Sequence, residues 1–211
     1  MVKLLGRLEM KSPQKIAEFL ESEHVGRMAT IDAKGYPQVI PMNFVFLGGF
    51  VYMHSDTRGE KLDNMARNAA TGFEVDRELE FLPSYFTHPT DASMADTLYI
   101  SVVMKGDSDV VTDAVEKCLA LNGLMQKYQP EGGYEPVRPG DDVLDHVAVI
   151  RITPKEIRGK YKISQHMKYE DRYDLACKIL KRNSQTALST LDAMGFHVID
   201  DKVVRVQDPR W

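Results

Sequence analysis

Short runs of alternating apolar and polar positions, separated by turn residues, dominate this chain. They predict strands over residues 25–31, 37–47, 50–54, 71–75, 97–105, 146–152 with an extension through 157–163, and 202–206. The turn at residues 32–35 and the pair Gly48-Gly49 join the first three strands. Residues 78–96, which contain two prolines, predict an irregular segment.

Apolar residues at helical spacing predict helices over residues 13–23, 60–67, 108–128, 171–181 and 184–194. Ser12 can cap the first of these helices, and Pro13 fits its first helical position. In the second helix, Leu62 and Met65 should face the core. Residues 129–145 are rich in proline, glycine and acidic residues, which predicts a surface loop.

Most of the predicted strands precede residue 165 and are joined by short turns. A closed or partly closed antiparallel barrel removes the sheet edges that such strands would otherwise expose. The pattern therefore predicts a mainly β fold with peripheral helices (α+β). We expect a barrel domain over residues 1–166 and a C-terminal helical extension over residues 167–211, packed on the barrel.

The composition is typical of a globular protein, since 43% of the 211 residues are apolar and 27% are charged. A net charge of -4 and a pI near 5.9 argue against nucleic-acid binding. No apolar run is long enough to span a bilayer or to form a signal peptide, so we expect a cytoplasmic protein. Cys118 and Cys177 are expected to be reduced core residues, with a disulfide or a metal site as the alternative.

The most suggestive polar residues lie between the third strand and the helix that follows it. His54 and Ser55 end the strand, Gly59 frees the backbone, and Lys61 lies in the first helical turn. A helix N-terminus favours an anion, and lysine is unfavourable there unless an anion such as phosphate is bound. The alternatives are that Ser55 caps the helix, that the backbone satisfies His54, and that neighbouring carboxylates pair with Lys61.

Arg27 lies on the first predicted strand, on the same face as Ala29 and Ile31 and opposite Met28 and Thr30. A buried guanidinium in this position would need an anionic partner. An arginine exposed to water at the end of a strand is the alternative, and the pattern leaves both open.

The segment GKYKISQH, residues 159–166, places two lysines on one face of a strand and Ser164 and Gln165 at its end. A solvated face followed by a turn is the alternative. The histidines lack metal-ligand spacing, and no nucleotide-binding glycine motif or catalytic triad is recognisable. No catalytic residue can therefore be named.

Several motifs occur in a fixed order along the chain. They are Gly26-Arg27-Met28-Ala29-Thr30, Pro41-Met42-Asn43-Phe44, and His54-Ser55 with Gly59, Lys61 and Asn64, followed by LYISVVMKG and GKYKISQ. Over roughly residues 12–166 this set resembles the pyridoxamine 5'-phosphate oxidase-like flavoproteins, and within them the nitroimidazole-resistance branch. The GKYKISQ segment also resembles a motif of related FMN-binding regulators.

The resemblance implies an antiparallel split β-barrel of the FMN-binding type. It also implies a homodimer with FMN at the subunit interface. At the phosphate end of the cofactor it implies Arg27 and Lys61 at the phosphate, and His54 and Ser55 at the phosphate and ribityl chain. Along the isoalloxazine it implies the backbone of Met28, Ala29 and Thr30. The remaining cofactor-binding residues that it implies are Asn43 in the second motif, and Ser164 and Gln165, which would reach the flavin from the partner subunit.

The chain departs from the oxidases that form pyridoxal phosphate. Glu60 stands where those enzymes usually have a second basic residue, and their C-terminal arginine motif is not recognisable. We therefore expect FMN-dependent electron transfer from NAD(P)H to a small organic acceptor, such as a nitro compound. The alternatives are a non-catalytic or regulatory module that holds FMN, deazaflavin or haem, with His54 or His166 as an axial haem ligand, and a barrel that has lost its cofactor.

Overall fold

The structure, a computed structural model, describes residues 6–205. The strands are β1 (Glu9–Met10), β2 (Val25–Ile31), β3 (Pro37–Asn43), β4 (Val45–Leu47), β5 (Phe50–Ser55), β6 (Ala70–Leu82), β7 (Asp96–Val110), β8 (Ala148–Lys162), β9 (Phe196–Ile199) and β10 (Lys202–Arg205). The helices are α1 (Pro13–Ser22), α2 (Glu60–Arg67), α3 (Ala114–Tyr128), α4 (Val143–His146), α5 (Tyr169–Arg182) and α6 (Ala187–Ala193).

One eight-stranded sheet carries most of the strands. Its order is β3-β2-β6-β7-β8-β5-β4, and β1 pairs with β8. The pairs β2–β3, β2–β6, β4–β5 and β5–β8 are antiparallel. A separate antiparallel pair joins β9 to β10. The predicted class, mainly β with helices outside the sheet, is confirmed.

The chain divides into two compact units. Of the described residues, the terminal unit takes residues 6–15, Asp76–Ser101 and residues 159–205. The central unit takes Ile16–Val75 and Val102–Arg158. Each of β6, β7 and β8 contributes residues to both units. The predicted domain boundary after residue 166 stays a prediction.

The core of the central unit forms around α3. A cluster of buried side chains from this helix and the elements beside it comprises Val45, Tyr52, Val111, Cys118, Ala120, Leu121, Leu124, Leu144 and Val149. Packing on β2 is equally close, since a Cβ added at Gly26 would lie 2.1 Å from Cζ of Phe73. The glycine of the first motif is therefore a packing requirement.

The terminal unit is held by a buried carboxylate on β6. Glu80 accepts hydrogen bonds from Arg182 Nη1 at 3.0 Å and from Thr186 Oγ1 at 2.8 Å, and Ser184 Oγ also donates to it. Asn183 adopts the left-handed conformation (φ 53°) that ends α5, as expected for the joint between the last two helices. Glu80 thus anchors this joint to the sheet.

Local predictions in the first third of the chain are confirmed. β2 and α2 have the predicted bounds, and Ser12 Oγ accepts a hydrogen bond from Lys15 N at 3.3 Å in the first turn of α1. The predicted strand over residues 37–47 is instead interrupted at Phe44. This buried residue leaves the ladder because its N–H donates to the hydroxyl of Tyr128 at 2.9 Å.

Predictions that depended on distant partners were wrong in detail. Residues 78–82 belong to β6 instead of an irregular segment, and residues 108–110 belong to β7 instead of the long helix. α3 begins after Asp113, whose carboxylate caps it by accepting from Glu116 N at 2.8 Å. The predicted loop over residues 129–145 contains the start of α4, which ends at His146. The strand predicted from residue 146 therefore begins at Ala148, as β8.

Candidate functional site

The N-terminus of α2 is the part of the central unit best suited to an anion. Gly59 precedes the helix at φ 137°, a conformation that favours glycine, and no side chain caps the helix. Gly59 O accepts from Leu62 N at 2.9 Å and from Asp63 N at 3.2 Å. Among residues 6–205 no acceptor bonds to the N–H groups of Glu60 and Lys61. Two backbone donors at the positive end of a helix therefore stand open.

A buried polar network fixes α2 against the sheet. Asn64, which is fully buried, donates from Nδ2 to Thr30 Oγ1 at 3.1 Å and to Gln38 Oε1 at 3.2 Å. Arg67 donates to Asn64 Oδ1, and Gln38 donates to Glu60. Asn64 was quoted in the third motif but not predicted as a site residue. Its signal was a polar residue on the helix face expected to be apolar.

The same network determines which side chains of the first motif, residues 26–30, are accessible. Thr30 is buried with its hydroxyl bonded to Asn64, Met28 is buried in the core, and Ala29 is half-buried. Arg27, Met28 and Ala29 pair with both β3 and β6, so this part of β2 is an interior stretch of the sheet. Contact of their backbone with an isoalloxazine ring stays a prediction.

Arg27 has an anionic partner within the chain. Its Nη1 lies 3.5 Å from Glu74 Oε2 on the neighbouring strand β6, and 42% of the side chain remains exposed. The guanidinium is therefore neither buried alone nor fully solvated.

The predicted residues on β3 and β5 lie at strand ends. His54 is exposed, Ser55 Oγ donates to Asp56 O at 2.8 Å, and Asp56 Oδ1 accepts from Arg58 N at 2.9 Å, which shapes the loop before α2. Asn43 is exposed at the end of β3, opposite Val25. The structure joins Thr30 directly to α2, whereas contacts of His54 and Asn43 with Lys61 are not observed among the described residues.

Ser164 and Gln165 belong to the terminal unit. Gln165 Oε1 accepts from Ile163 N at 3.0 Å, and its Nε2 donates to Arg7 O at 2.8 Å and to Tyr161 O at 3.1 Å. These bonds stabilise the turn after β8, and they occupy both the oxygen and the nitrogen of the Gln165 side-chain amide. Ser164 is buried at φ 61°. Contact of either residue with a flavin stays a prediction.

Two perturbed groups of the central unit have structural causes. Burial lowers the pKa of Lys127 to about 8, while its Nζ donates to Leu20 O at 2.7 Å and lies 3.9 Å from the centre of the Phe44 ring. Burial, followed by a hydrogen bond to Glu116, raises the pKa of Tyr52 to about 12. Arg151 bonds the same Glu116 at 2.9 Å, so this cluster holds α3 to the sheet.

The described residues offer no recognisable acid–base or metal centre. Within residues 6–205 no three side chains of His, Cys, Asp or Glu are grouped as metal ligands. Cys118 is buried, Cys177 is half-buried, and both are free thiols. In the same range no helix is both long enough and apolar enough to span a bilayer.

Comparison with protein families identifies one match. The model of the pyridoxamine 5'-phosphate oxidase family matches residues 12–161, which include all three motifs of the first 64 residues. A comparison with curated proteins finds no match. The family match covers most of the chain.

Solved structures with a similar fold include three that illustrate its range. A candidate 5-nitroimidazole antibiotic resistance protein from Bacteroides thetaiotaomicron has a TM-score of 0.61 at 21% identity, covering 72% of this chain and 86% of that one. The flavocytochrome Anf3 from Azotobacter vinelandii has a TM-score of 0.65 at 19% identity, covering 76% and 72%. An FAD and haem binding protein from Mycobacterium smegmatis has a TM-score of 0.62 at 16% identity, covering 73% of each. At these identities the likeness establishes the fold.

Proposed function

Because this chain belongs to the pyridoxamine 5'-phosphate oxidase family, we propose that it binds a flavin, specifically FMN, and passes electrons from NAD(P)H to a small organic acceptor. The observation that carries this proposal is the open N-terminus of α2 in the central unit. A phosphate bound there would accept hydrogen bonds from the N–H groups of Glu60 and Lys61. Its negative charge would also offset the unfavourable interaction of the Lys61 ammonium with the helix dipole.

The residues around α2 fit a phosphate ester. Gly59 carries no side chain that would obstruct the two donors. The Ser55 hydroxyl, at the end of β5, could turn from Asp56 O to donate to a phosphate oxygen. Arg27, 42% exposed and paired with Glu74, adds a positive charge on β2 that would favour an anion in the central unit. The carboxylate of Glu60 is directed to Gln38, which reduces its competition for the phosphate position.

Bound FMN would supply the redox chemistry, and the protein would supply binding and orientation. The Asn64 network holds α2 rigidly, which is what precise placement of a cofactor requires. Residues 6–205 present no evident general acid or base. This favours an acceptor whose reduction does not require a proton from a protein side chain. The likeness to the candidate nitroimidazole resistance protein supports a nitro compound as the acceptor.

We also propose that the protein is a homodimer. β3 lies at one end of the central sheet and has one strand neighbour, β2. Its outward face is apolar: Val39 is 59% exposed, and Tyr36 just before the strand is 69% exposed. An exposed apolar edge of this kind is typical of an interface with a second copy. Light scattering should report twice the 23.9 kDa chain mass, and a monomer would contradict the proposal.

Haem binding is the second candidate. Two of the similar structures are a flavocytochrome and an FAD and haem binding protein, and His54 is an exposed histidine to whose ring no other residue within 6–205 bonds. An accessible imidazole is a suitable axial ligand. This candidate predicts a red protein whose Soret band is lost in His54→Ala.

One experiment tests the proposed function directly. The full chain is purified, loaded with FMN, and followed by absorption during addition of NAD(P)H under anaerobic conditions. Saturable binding of FMN and bleaching of its visible band are expected. A protein that takes up no FMN would overturn the proposal, and retention of haem instead would favour the second candidate.

A further inference from the structure

The terminal unit contains a cavity of about 480 Å³. This volume lies within the range of sites that hold small molecules. The residues that line it come from β6, the connection between β6 and β7, β7, the end of β8 with the turn after it, and α5. None of the residues proposed for the phosphate site lines it.

Among the polar residues that line this cavity, Ser164 is the buried one. The residue is 5% exposed and lines the cavity wall. No described residue within 6–205 forms a hydrogen bond with its Oγ; only its backbone oxygen is used, by Met167 N at 3.0 Å. Its φ of 61° is unusual for a residue other than glycine. A hydroxyl that lines a cavity and has no protein partner is available to bond a ligand.

Both lysines that line the cavity are paired with carboxylates. Lys162 is paired with Asp96, and Lys178 Nζ lies 2.7 Å from Asp174 and donates to Phe86 O at 2.6 Å. Asp171 lies in the first turn of α5, where the helix dipole stabilises a carboxylate. An anionic ligand would therefore have to break an existing ion pair.

The remaining lining offers the polar side chains of Thr87 and His166 and an apolar wall. Burial, together with the positive charges of Arg7 and Lys162, lowers the pKa of His166, so its ring is neutral at neutral pH. Leu82, Leu98 and Leu175 form the apolar wall. Two thioethers and a phenyl ring, those of Met94, Met167 and Phe86, complete it. Thioethers and rings pack favourably against aromatic groups.

We propose that this cavity binds a small uncharged aromatic molecule whose hydrogen-bonding group meets Ser164 Oγ. The proposal goes beyond FMN binding and does not depend on it. It also assigns Ser164 to this second ligand, in place of the flavin contact implied by the family resemblance. The two assignments differ in what they predict for a Ser164 variant.

The test uses the full chain, with and without FMN, and the probe 4-fluorobenzamide followed by ¹⁹F NMR. We expect saturable broadening of the probe resonance, and none for 4-fluorobenzoate, which has the same ring and a negative charge. Ser164→Ala should raise the Kd of the probe about fivefold, the effect of one lost hydrogen bond. Ser189→Ala is the matched control, because Ser189 is exposed in the same unit and does not line the cavity.

A second variant is included in case the change in Kd caused by removing one hydroxyl is too small to resolve. Met94 is 41% exposed and lines the cavity, so Met94→Trp should obstruct it and abolish broadening without disturbing the core. An unbroadened probe with the wild-type chain, or equal binding by Ser164→Ala, Met94→Trp and Ser189→Ala, would overturn the proposal. A weaker FMN affinity in Ser164→Ala would also overturn it, since Ser164 would then contact the cofactor. Failure of the wild-type chain to bind FMN would refute the proposed function alone.

Discussion

Asn64 donates from its side-chain amide to the hydroxyl of Thr30, 3.1 Å away, and both side chains are buried. The bond ties α2 to the interior strand β2 of the central unit. The open N–H groups of Glu60 and Lys61 are thus carried by a helix whose position the sheet determines. A flexible loop could offer the same donors, but it could not hold them in one place.

We predict that Asn64→Ala lowers the free energy of unfolding by about 2–3 kcal/mol, because Thr30, Gln38 and Arg67 each lose a buried partner. Urea denaturation measures the change. A double-mutant cycle with Thr30→Val isolates the bond to Thr30 and should give a coupling energy of about 1 kcal/mol. A coupling energy near zero would show that the bond contributes nothing.

Lys61→Ala should weaken FMN binding by about 1.5–3 kcal/mol, the usual value of a hydrogen bond to a charged group. Fluorescence titration of FMN measures the affinity. Lys34→Ala is the control, because Lys34 lies exposed in the turn before β3. If both variants bind FMN as tightly as the wild type, the phosphate lies elsewhere.

Lys127 should make the stability of the protein depend on pH. Its folded-state pKa of about 8 lies below the ordinary value of 10.5. Between these values the unfolded chain retains a proton that the folded chain has lost, so the free energy of unfolding rises with pH. The contribution is complete above pH 10.5, is lost as the pH falls towards 8, and amounts to at most about 3 kcal/mol.

The wild type should therefore gain stability relative to Lys127→Met as the pH rises from neutral to alkaline values. Denaturation at a series of pH values measures the difference. Lys105→Met serves as control, since Lys105 is exposed on β7 of the same unit and should give a flat difference curve. A flat curve for Lys127→Met as well would contradict the prediction.

Glu80→Gln should destabilise the terminal unit by about 2–4 kcal/mol, because it removes the charge that compensates Arg182 and disturbs the bonds from Ser184 and Thr186. Hydrogen exchange of the α5 and α6 amides should locate the effect. Glu78→Gln, an exposed change two residues earlier on β6, should be close to neutral. Equal stability of the two variants would refute the role of Glu80.

Arg172→Met should leave the protein as stable as the wild type, or more stable by about 1 kcal/mol. Arg172 is 6% exposed, and its Nε has no acceptor among residues 6–205. The guanidinium carbon lies 5.7 Å from the centre of the Phe196 ring, but no ion pair joins the side chain to another residue within 6–205. Replacing this mostly buried cation with an apolar chain of similar length removes a desolvation cost. Thermal denaturation tests this against Arg182→Met, which breaks a paired guanidinium and should be destabilising.

Segments whose structure depends on near neighbours could be predicted from the sequence. β2 follows from alternation, α2 from its helical spacing, and the turn at residues 32–35 from its Asp and Gly. In contrast, residues 78–82 were predicted as part of an irregular segment, because two prolines interrupt residues 78–96. They form a strand since Glu80 meets Arg182, 102 residues later in the chain.

The sequence by itself determined the mainly β class, the order of motifs that marks the family, and the short helix that follows Gly59, because these depend on local periodicity and turn chemistry. Only the tertiary structure decided that Asn64 is the residue that fixes this helix and that Ser164 faces a cavity. The physical reason is that a buried polar group acquires its role from its partners, and those partners are brought together only when distant segments pack.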